Sequence, residues 1–175
     1  MTRAEGATIH ASAVLVGNRA VLIRGPSGSG KSRLAFDLIL AGRSSQIAPA
    51  LLVGDDRVHV LAVEGQLVVR PAPALAGLIE IRGLGIRNCD FVNEAIVGLV
   101  VDLDAPDAER LPPPEALHAH ILGIKIPRIP VGRGRAGLPL AIAGLTMTAN
   151  SPPTQLSADC PKGIGNHISP TIATE

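Results

Sequence analysis

The sequence predicts an α/β fold, a mixed β-sheet with few helices built around a P-loop. Three observations carry this. The apolar run at residues 20–24 feeds Gly25-Pro26-Ser27-Gly28-Ser29-Gly30-Lys31-Ser32, which matches G-x-x-x-x-G-K-[ST] in full. Helical spacing follows at once, with Leu34, Ala35, Leu38 and Ile39 on one face. Most other apolar runs are short and end in hairpin signals, which argues against a purely parallel doubly wound sheet.

The elements follow in order. Residues 8–16 read as one strand containing His10. Gly17-Asn18 is a hairpin turn into the strand at 20–24. The helix after the loop covers Lys31 to Leu40, with Gly42 as its C-terminal glycine. Ser44 to Pro49 is a polar loop. Leu51-Leu52-Val53 is a short buried strand ended by Gly54-Asp55-Asp56. Val58–Val63 and Gln66–Arg70 flank Glu64-Gly65 as a second hairpin, and Pro71-Ala72-Pro73 breaks the chain. Leu78–Arg82 is a strand leading into Gly83-Leu84-Gly85, and Ala95 to Leu103 is a long apolar strand. Asp104 to Pro114 is a Pro-rich acidic loop, with a short helix expected over Pro114–His120. Ile124 to Val131 is extended, and Pro127 and Pro130 mark it as an edge or irregular strand. A Gly/Arg loop at 132–137 precedes a last helix over Leu138–Ala149. Residues 150–175 lose all periodicity and read as a mobile tail. The organisation is therefore one P-loop domain over 1–149 and a tail over 150–175.

Composition narrows the function. The chain has 175 residues and is 46% hydrophobic, enough for one core without a disulfide or metal staple. Its only aromatics are Phe36 and Phe91, which argues strongly against aromatic base-stacking platforms. Sixteen basic residues stand against 15 acidic ones, which argues against nucleic acid as a partner. Cys89 and Cys160 form no zinc-ligand spacing with histidines. No apolar run reaches a membrane-spanning length, and the N-terminus lacks an apolar signal core, so a cytoplasmic location is expected.

The phosphate loop explains its own residues. Glycines at 28 and 30 let backbone N–H groups close around phosphate oxygens. The helix that starts near Lys31 aims its positive dipole end at the same anion. Lys31 reaches the terminal phosphates and Ser32 offers a hydroxyl to Mg²⁺. The guanine-reading Asn-Lys-x-Asp of GTPases is absent, as is the Ser-Gly-Gly signature of transporter ATPases.

Acidic residues come next. Asp55 and Asp56 end a buried strand beside the phosphate loop, the usual place for a metal-binding or basic carboxylate. Adjacent side chains on a strand point to opposite sides, so the two have different jobs. Taken alone, the pair also suits a simple turn. Glu80 and Arg82 alternate with Ile79 and Ile81 and share one face, either as part of the site or as a surface ion pair. A lone His in an apolar strand, such as His10, is more often a hydrogen-bonded core residue than a catalyst; neutral, it can still hold a carboxylate in place.

Together, Ile9-His10-Ala11, Gly25–Ser32, Leu52-Val53-Gly54-Asp55-Asp56 and Glu80-Ile81-Arg82-Gly83-Leu84-Gly85-Ile86 resemble the catalytic domain of the HPr kinase/phosphorylases. Ile129-Pro130-Val131 with Gly134-Arg135 is similar to a late element of that family. The resemblance covers about residues 8–148 and implies an HPr kinase/PEP-carboxykinase-like fold. It implies ATP and Mg²⁺ as cofactors and an HPr-type phosphocarrier protein as partner, and it allows a homo-oligomer. The implied reaction is phosphorylation of a carrier serine, with phosphorolysis of the phosphoserine by inorganic phosphate as the reverse step. By resemblance, Asp55 matches the catalytic aspartate and His10 its neighbour. Asp56 and Glu80, with Ser32, match metal positions, and Arg82 and Arg135 suit phosphate or transition-state charge. The chain is similar to short alphaproteobacterial-type forms that lack the N-terminal domain.

Two other readings stay open: a P-loop phosphotransferase acting on a small substrate, and a non-enzymatic ATP-responsive regulator. Asp55 argues against the regulator, which needs no base. Residues 90–115 hold seven acids and one base, and residues 116–135 hold four bases and no acid. This asymmetry suits either partner guidance or a solvated loop. Without Tyr or Trp, weak discrimination between ATP and GTP is expected.

Overall fold

A computed structural model describes residues 6–147. β1 (Gly6–Ile9) and β2 (Ser12–Val16) are separate strands, where one strand over 8–16 was expected. The chain breaks at His10 because β1 pairs with β5 (Val58–Val63) whereas β2 pairs with β3 (Arg19–Arg24) and β4 (Ala50–Gly54). The Gly17-Asn18 hairpin is present, with Val16 opposite Arg19. α1 (Lys31–Arg43) follows the phosphate loop.

Gly42 lies inside α1 and is not its terminal glycine. It is needed for closeness: a Cβ there would meet the Ala50 Cβ at 2.7 Å. The left-handed residue after the helix is Ser45, at φ 58°. β5 and β6 (Gln66–Pro71) form the expected hairpin. Among the described residues β7 (Leu78–Ile81) pairs only with β8 (Gly85–Asn88), a strand the apolar pattern does not mark. β9 (Ala95–Leu103) matches its expected bounds.

The helix expected over Pro114–His120 reduces to a 3-10 turn, Pro114–Leu117, followed by β10 (His118–Ile121). β11 (Ile124–Val131) is the irregular strand its prolines suggest. Its first half pairs with β10 and its second half runs parallel to β9, so the strand changes partner between its two prolines. α2 (Gly137–Thr146) closes the described chain. The end of the helix expected to reach Ala149 and the tail expected at 150–175 lie outside the described residues.

The result is a mixed nine-stranded sheet ordered β1-β5-β6-β9-β3-β2-β4, with β11 beside β9 and β10 beyond it. This is the predicted α/β class, with only two α-helices among the described residues. β3 and β9 are apolar on both faces. Val21, Ile23, Leu99 and Val101 pack under α1. Ala20, Leu22, Val97 and Val100 face the other way, against Val58, Val60, Leu67 and Val69 of β5 and β6. Each fully buried Val, Leu or Ile contributes roughly 1.5–3 kcal/mol, so a core without Trp or Tyr suffices.

β3, β9 and β11 are mutually parallel, and β4 points the same way because both it and β3 are antiparallel to β2. Their carboxyl ends meet at one edge. From it emerge the phosphate loop after β3, Asp55-Asp56 after β4, the loop at 104–113 after β9 and the Gly/Arg loop after β11. Carboxyl ends of parallel strands are where open α/β sheets bind ligands. Among the described residues no helix is long and apolar enough to cross a membrane.

Candidate active site

The phosphate loop is built for an anion. Gly25, at φ 152°, is pressed against the end of β9, where a Cβ would lie 2.9 Å from the Leu103 carbonyl oxygen. Gly30, at φ 99°, caps α1, and no side chain caps that end or supplies an acid to its first turn. The positive end of the helix is left to a ligand. Among the described residues a Cβ at Gly28 or Gly30 would meet nothing within 4 Å, so these leave the cradle open. Ser29 Oγ is buried behind it and has no hydrogen-bond partner among the described residues.

Lys31 is only 6% exposed. Its Nζ donates to the carbonyl oxygens of Gly25 and Pro26, both at 3.0 Å. Burial pulls its pKa below the usual lysine value, and Asp56 and Asp55 oppose that pull.

The two aspartates separate sharply. Asp55 is 3% exposed. Its Oδ1 accepts from Ser12 Oγ at 2.5 Å and from Ser32 Oγ at 2.9 Å, and its Oδ2 accepts from the Glu80 backbone N–H at 3.1 Å. Asp56 adopts φ 63°, which turns its side chain out of the β4 direction. Its Oδ1 lies 3.0 Å from His10 Nε2, and its side chain is 64% exposed. His10 is thus half-exposed in a break between strands, not a core residue. The aspartate that neighbours it is Asp56, where Asp55 was expected.

One cleft of about 590 Å³ gathers most of the expected residues. Ser27, Gly28, Gly30, Lys31 and Ser32 line one end. His10, Asp56, Glu80 and Arg82 line it as well. Glu80 and Arg82 are exposed while Ile79 is buried, as the alternation predicted. Gly25, Pro26, Ser29 and Asp55 sit outside the lining and support it. Arg135 is exposed on the Gly/Arg loop and does not line the cleft.

The donor set suits Mg²⁺. Among the described residues no three His, Cys, Asp or Glu side chains converge as a ready-made metal cage. Mg²⁺ typically needs only one or two carboxylates plus phosphate oxygens and water. Ser32, Asp56 and Glu80 offer that at the cleft.

Three contributors escaped the sequence reading. Ser12, fully buried, holds Asp55. A lone hydroxyl inside the apolar run 11–16 was its only signal. Phe36 lines the cleft beside Leu40 and Ile81. Arg128 joins the acidic and basic segments: it pairs with Asp102 and Asp107 at 2.5 and 2.7 Å. Part of the charge asymmetry at 90–135 is therefore neutralised inside the fold. Glu94 pairs with Arg70 at 2.7 Å.

Comparisons with known proteins give the family. The chain is 34% identical over 141 residues to the HPr kinase/phosphorylase of Mycoplasma mycoides, covering 73% of this chain and 43% of that protein. It is 33% identical over 165 residues to the HPr kinase/phosphorylase of Lacticaseibacillus casei, covering 85% of this chain and 49% of that protein. The chain thus spans less than half the length of these curated relatives. The solved structure of the Hpr(Ser) kinase/phosphatase from Coxiella burnetii matches with TM-score 0.63 and 31% identity, covering 79% of this chain and 93% of that one. Residues 2–143 match the model of the HPr Serine kinase C-terminal domain, and the chain belongs to that family.

Proposed function

We propose that this chain transfers the γ-phosphoryl group of ATP to a seryl hydroxyl of an HPr-type phosphocarrier protein. In the reverse reaction, inorganic phosphate attacks the phosphoserine phosphorus, giving serine and pyrophosphate. The support is the family membership together with one geometric observation: a carboxylate open to the cleft, backed by a histidine, beside an uncapped phosphate loop.

In this reading the loop at 25–32 holds the polyphosphate, with the Lys31 ammonium set by its two backbone acceptors. Mg²⁺, when bound, neutralises charge that builds on the phosphoryl oxygens. Ser32 and Glu80 at the cleft would hold it. Asp55, with both oxygens engaged, orients the Ser32 hydroxyl and the backbone at Glu80. The role of base passes from Asp55 to Asp56. Asp56 has a free oxygen facing the cleft and takes the serine proton as the new O–P bond forms. In reverse it returns that proton to the leaving serine oxygen. His10, donating from Nε2, fixes the Asp56 carboxylate. Arg82 faces the same cleft and suits charge on the transferring group. Arg135 would join only if the Gly/Arg loop moves inward.

A cytoplasmic location and a carrier-protein partner belong to this reading. Incubation with ATP, Mg²⁺ and an HPr-type carrier, followed by mass mapping, tests it. Serine labelling that is lost in Lys31→Ala and slowed about 10²–10⁴-fold in Asp56→Asn is expected. ATP binding with no carrier labelled would favour a small-substrate phosphotransferase instead.

A further inference from the structure

The root of the phosphate loop is gripped from behind. Asp102 on β9 lies opposite Arg24 of β3 and Pro130 of β11 in the two parallel pairings. Arg24 Nε and Nη2 donate to the two oxygens of Asp102, each at 2.7 Å. Arg128 Nε donates to Oδ2 at 2.5 Å. The outer edge of the Arg128 guanidinium forks onto Asp107, at 2.7 and 2.9 Å. None of these four residues lines the cleft.

The link to the site runs through backbone. Arg24 immediately precedes Gly25, and Gly25 is packed against the carbonyl of Leu103, the residue after Asp102. Gly25 and Pro26 in turn supply both carbonyl acceptors of Lys31 Nζ. A shift of the Gly25 peptide therefore moves both anchors of the ammonium. Bidentate charge-assisted bonds are the strongest hydrogen bonds available for holding such a root.

We propose that Asp102 is a positioning residue of the phosphate site: through the Arg24 fork it sets where the loop begins and so where the Lys31 ammonium stands. The proposal rests on the reading that this loop binds ATP. Asp107 is a brace for the loop at 104–113 and stands outside this path.

The test measures ATP affinity with Mg²⁺ by calorimetry, and amide hydrogen exchange over 25–30 without ATP. The proteins are the unaltered chain, Arg24→Met, Arg24→Lys and Asp107→Asn. Arg24 is 34% exposed, so its variants are expected to fold. Arg24→Met and Arg24→Lys should each weaken ATP binding about tenfold, since Lys keeps the charge but cannot form the fork. Loop exchange should speed up in both. Asp107→Asn should leave both readouts within about twofold, because the Arg24–Asp102 fork remains. Restored affinity in Arg24→Lys would reduce the role to charge alone and overturn the proposal. So would equal losses in Asp107→Asn, or no loss in Arg24→Met. If the unaltered chain does not bind ATP, the nucleotide reading falls, and the exchange comparison alone decides whether the fork positions the loop.

Discussion

His10 and Asp56 meet at 3.0 Å although they come from different strand ends, the break after β1 and the turn after β4. The contact depends on two backbone features. The chain leaves β1 at His10, and Asp56 takes φ 63°. It leaves Asp55 behind, buried on Ser12 and Ser32.

This division predicts different failures for the two aspartates. Asp56→Asn should lower turnover by about 10²–10⁴-fold with ATP affinity nearly unchanged, as loss of a general base does. Asp55→Asn should raise the Mg²⁺ concentration needed for half-maximal rate, since it orients the Ser32 hydroxyl. His10→Ala should produce a smaller loss than Asp56→Asn, and none in the Asp56→Asn background. Steady-state kinetics of the unaltered chain, the three single variants and the His10→Ala/Asp56→Asn double variant separates these patterns.

Lys31 carries a pH signature. Burial lowers its pKa, with Asp56 and Asp55 pulling the other way, so the ammonium of the free protein loses its proton below the ordinary value of 10.5. ATP affinity should therefore begin to fall with rising pH before an exposed lysine would discharge. Lys31→Arg keeps its charge throughout and should lack that alkaline decline, while binding more weakly at neutral pH. Binding titrations from pH 7 upward provide the comparison.

Asp102 has the opposite sign. Burial alone would raise its pKa, but hydrogen bonds from Arg24 and Arg128, with their charges, hold it below the usual carboxylate value. Its stabilisation is complete above the unfolded value of about 3.9 and is lost as pH falls through the lower folded value. Asp102→Asn should cost about 3 kcal/mol at neutral pH, because two guanidinium groups lose their shared partner. Its stability should also depend less steeply on pH in the acid range. Denaturant titrations between about pH 2 and 7 measure both.

Gly42 gives a packing test. A Cβ there meets the Ala50 Cβ and N, both at 2.7 Å. Gly42→Ala should destabilise by about 1–3 kcal/mol despite the better helix propensity of Ala. A thermal midpoint equal to or above that of the unaltered chain would show that α1 and β4 can separate without cost.

Much of this was legible in the residues because it is local. The strand at 20–24, the glycine spacing and the helical face at Leu34, Leu38 and Ile39 each declare themselves within a few positions. Ala95–Leu103 did so through length alone, since it is buried on both faces. What stayed hidden depends on distant partners. β10 exists because Ile124–Pro127 pairs with it, and His118-Ala119-His120 has no strand pattern of its own. β8 is exposed at every position, so no apolar alternation marks it. Alternation showed that Asp55 and Asp56 diverge, but which one turns to the cleft is decided by a left-handed φ that residue type does not announce. The expected weak discrimination between ATP and GTP must also allow for Phe36, which shares the cleft with the loop.

Phosphate mapping on an HPr-type carrier after incubation with ATP and Mg²⁺, comparing the unaltered chain, Asp55→Asn and Asp56→Asn, tests most directly which aspartate is the base. Serine labelling by the unaltered chain is expected, with labelling by Asp55→Asn that recovers with added Mg²⁺ and labelling by Asp56→Asn slowed about 10²–10⁴-fold at every Mg²⁺ concentration. Labelling by Asp56→Asn at the unaltered rate, with irrecoverable loss in Asp55→Asn, would contradict this and return the base to the buried carboxylate.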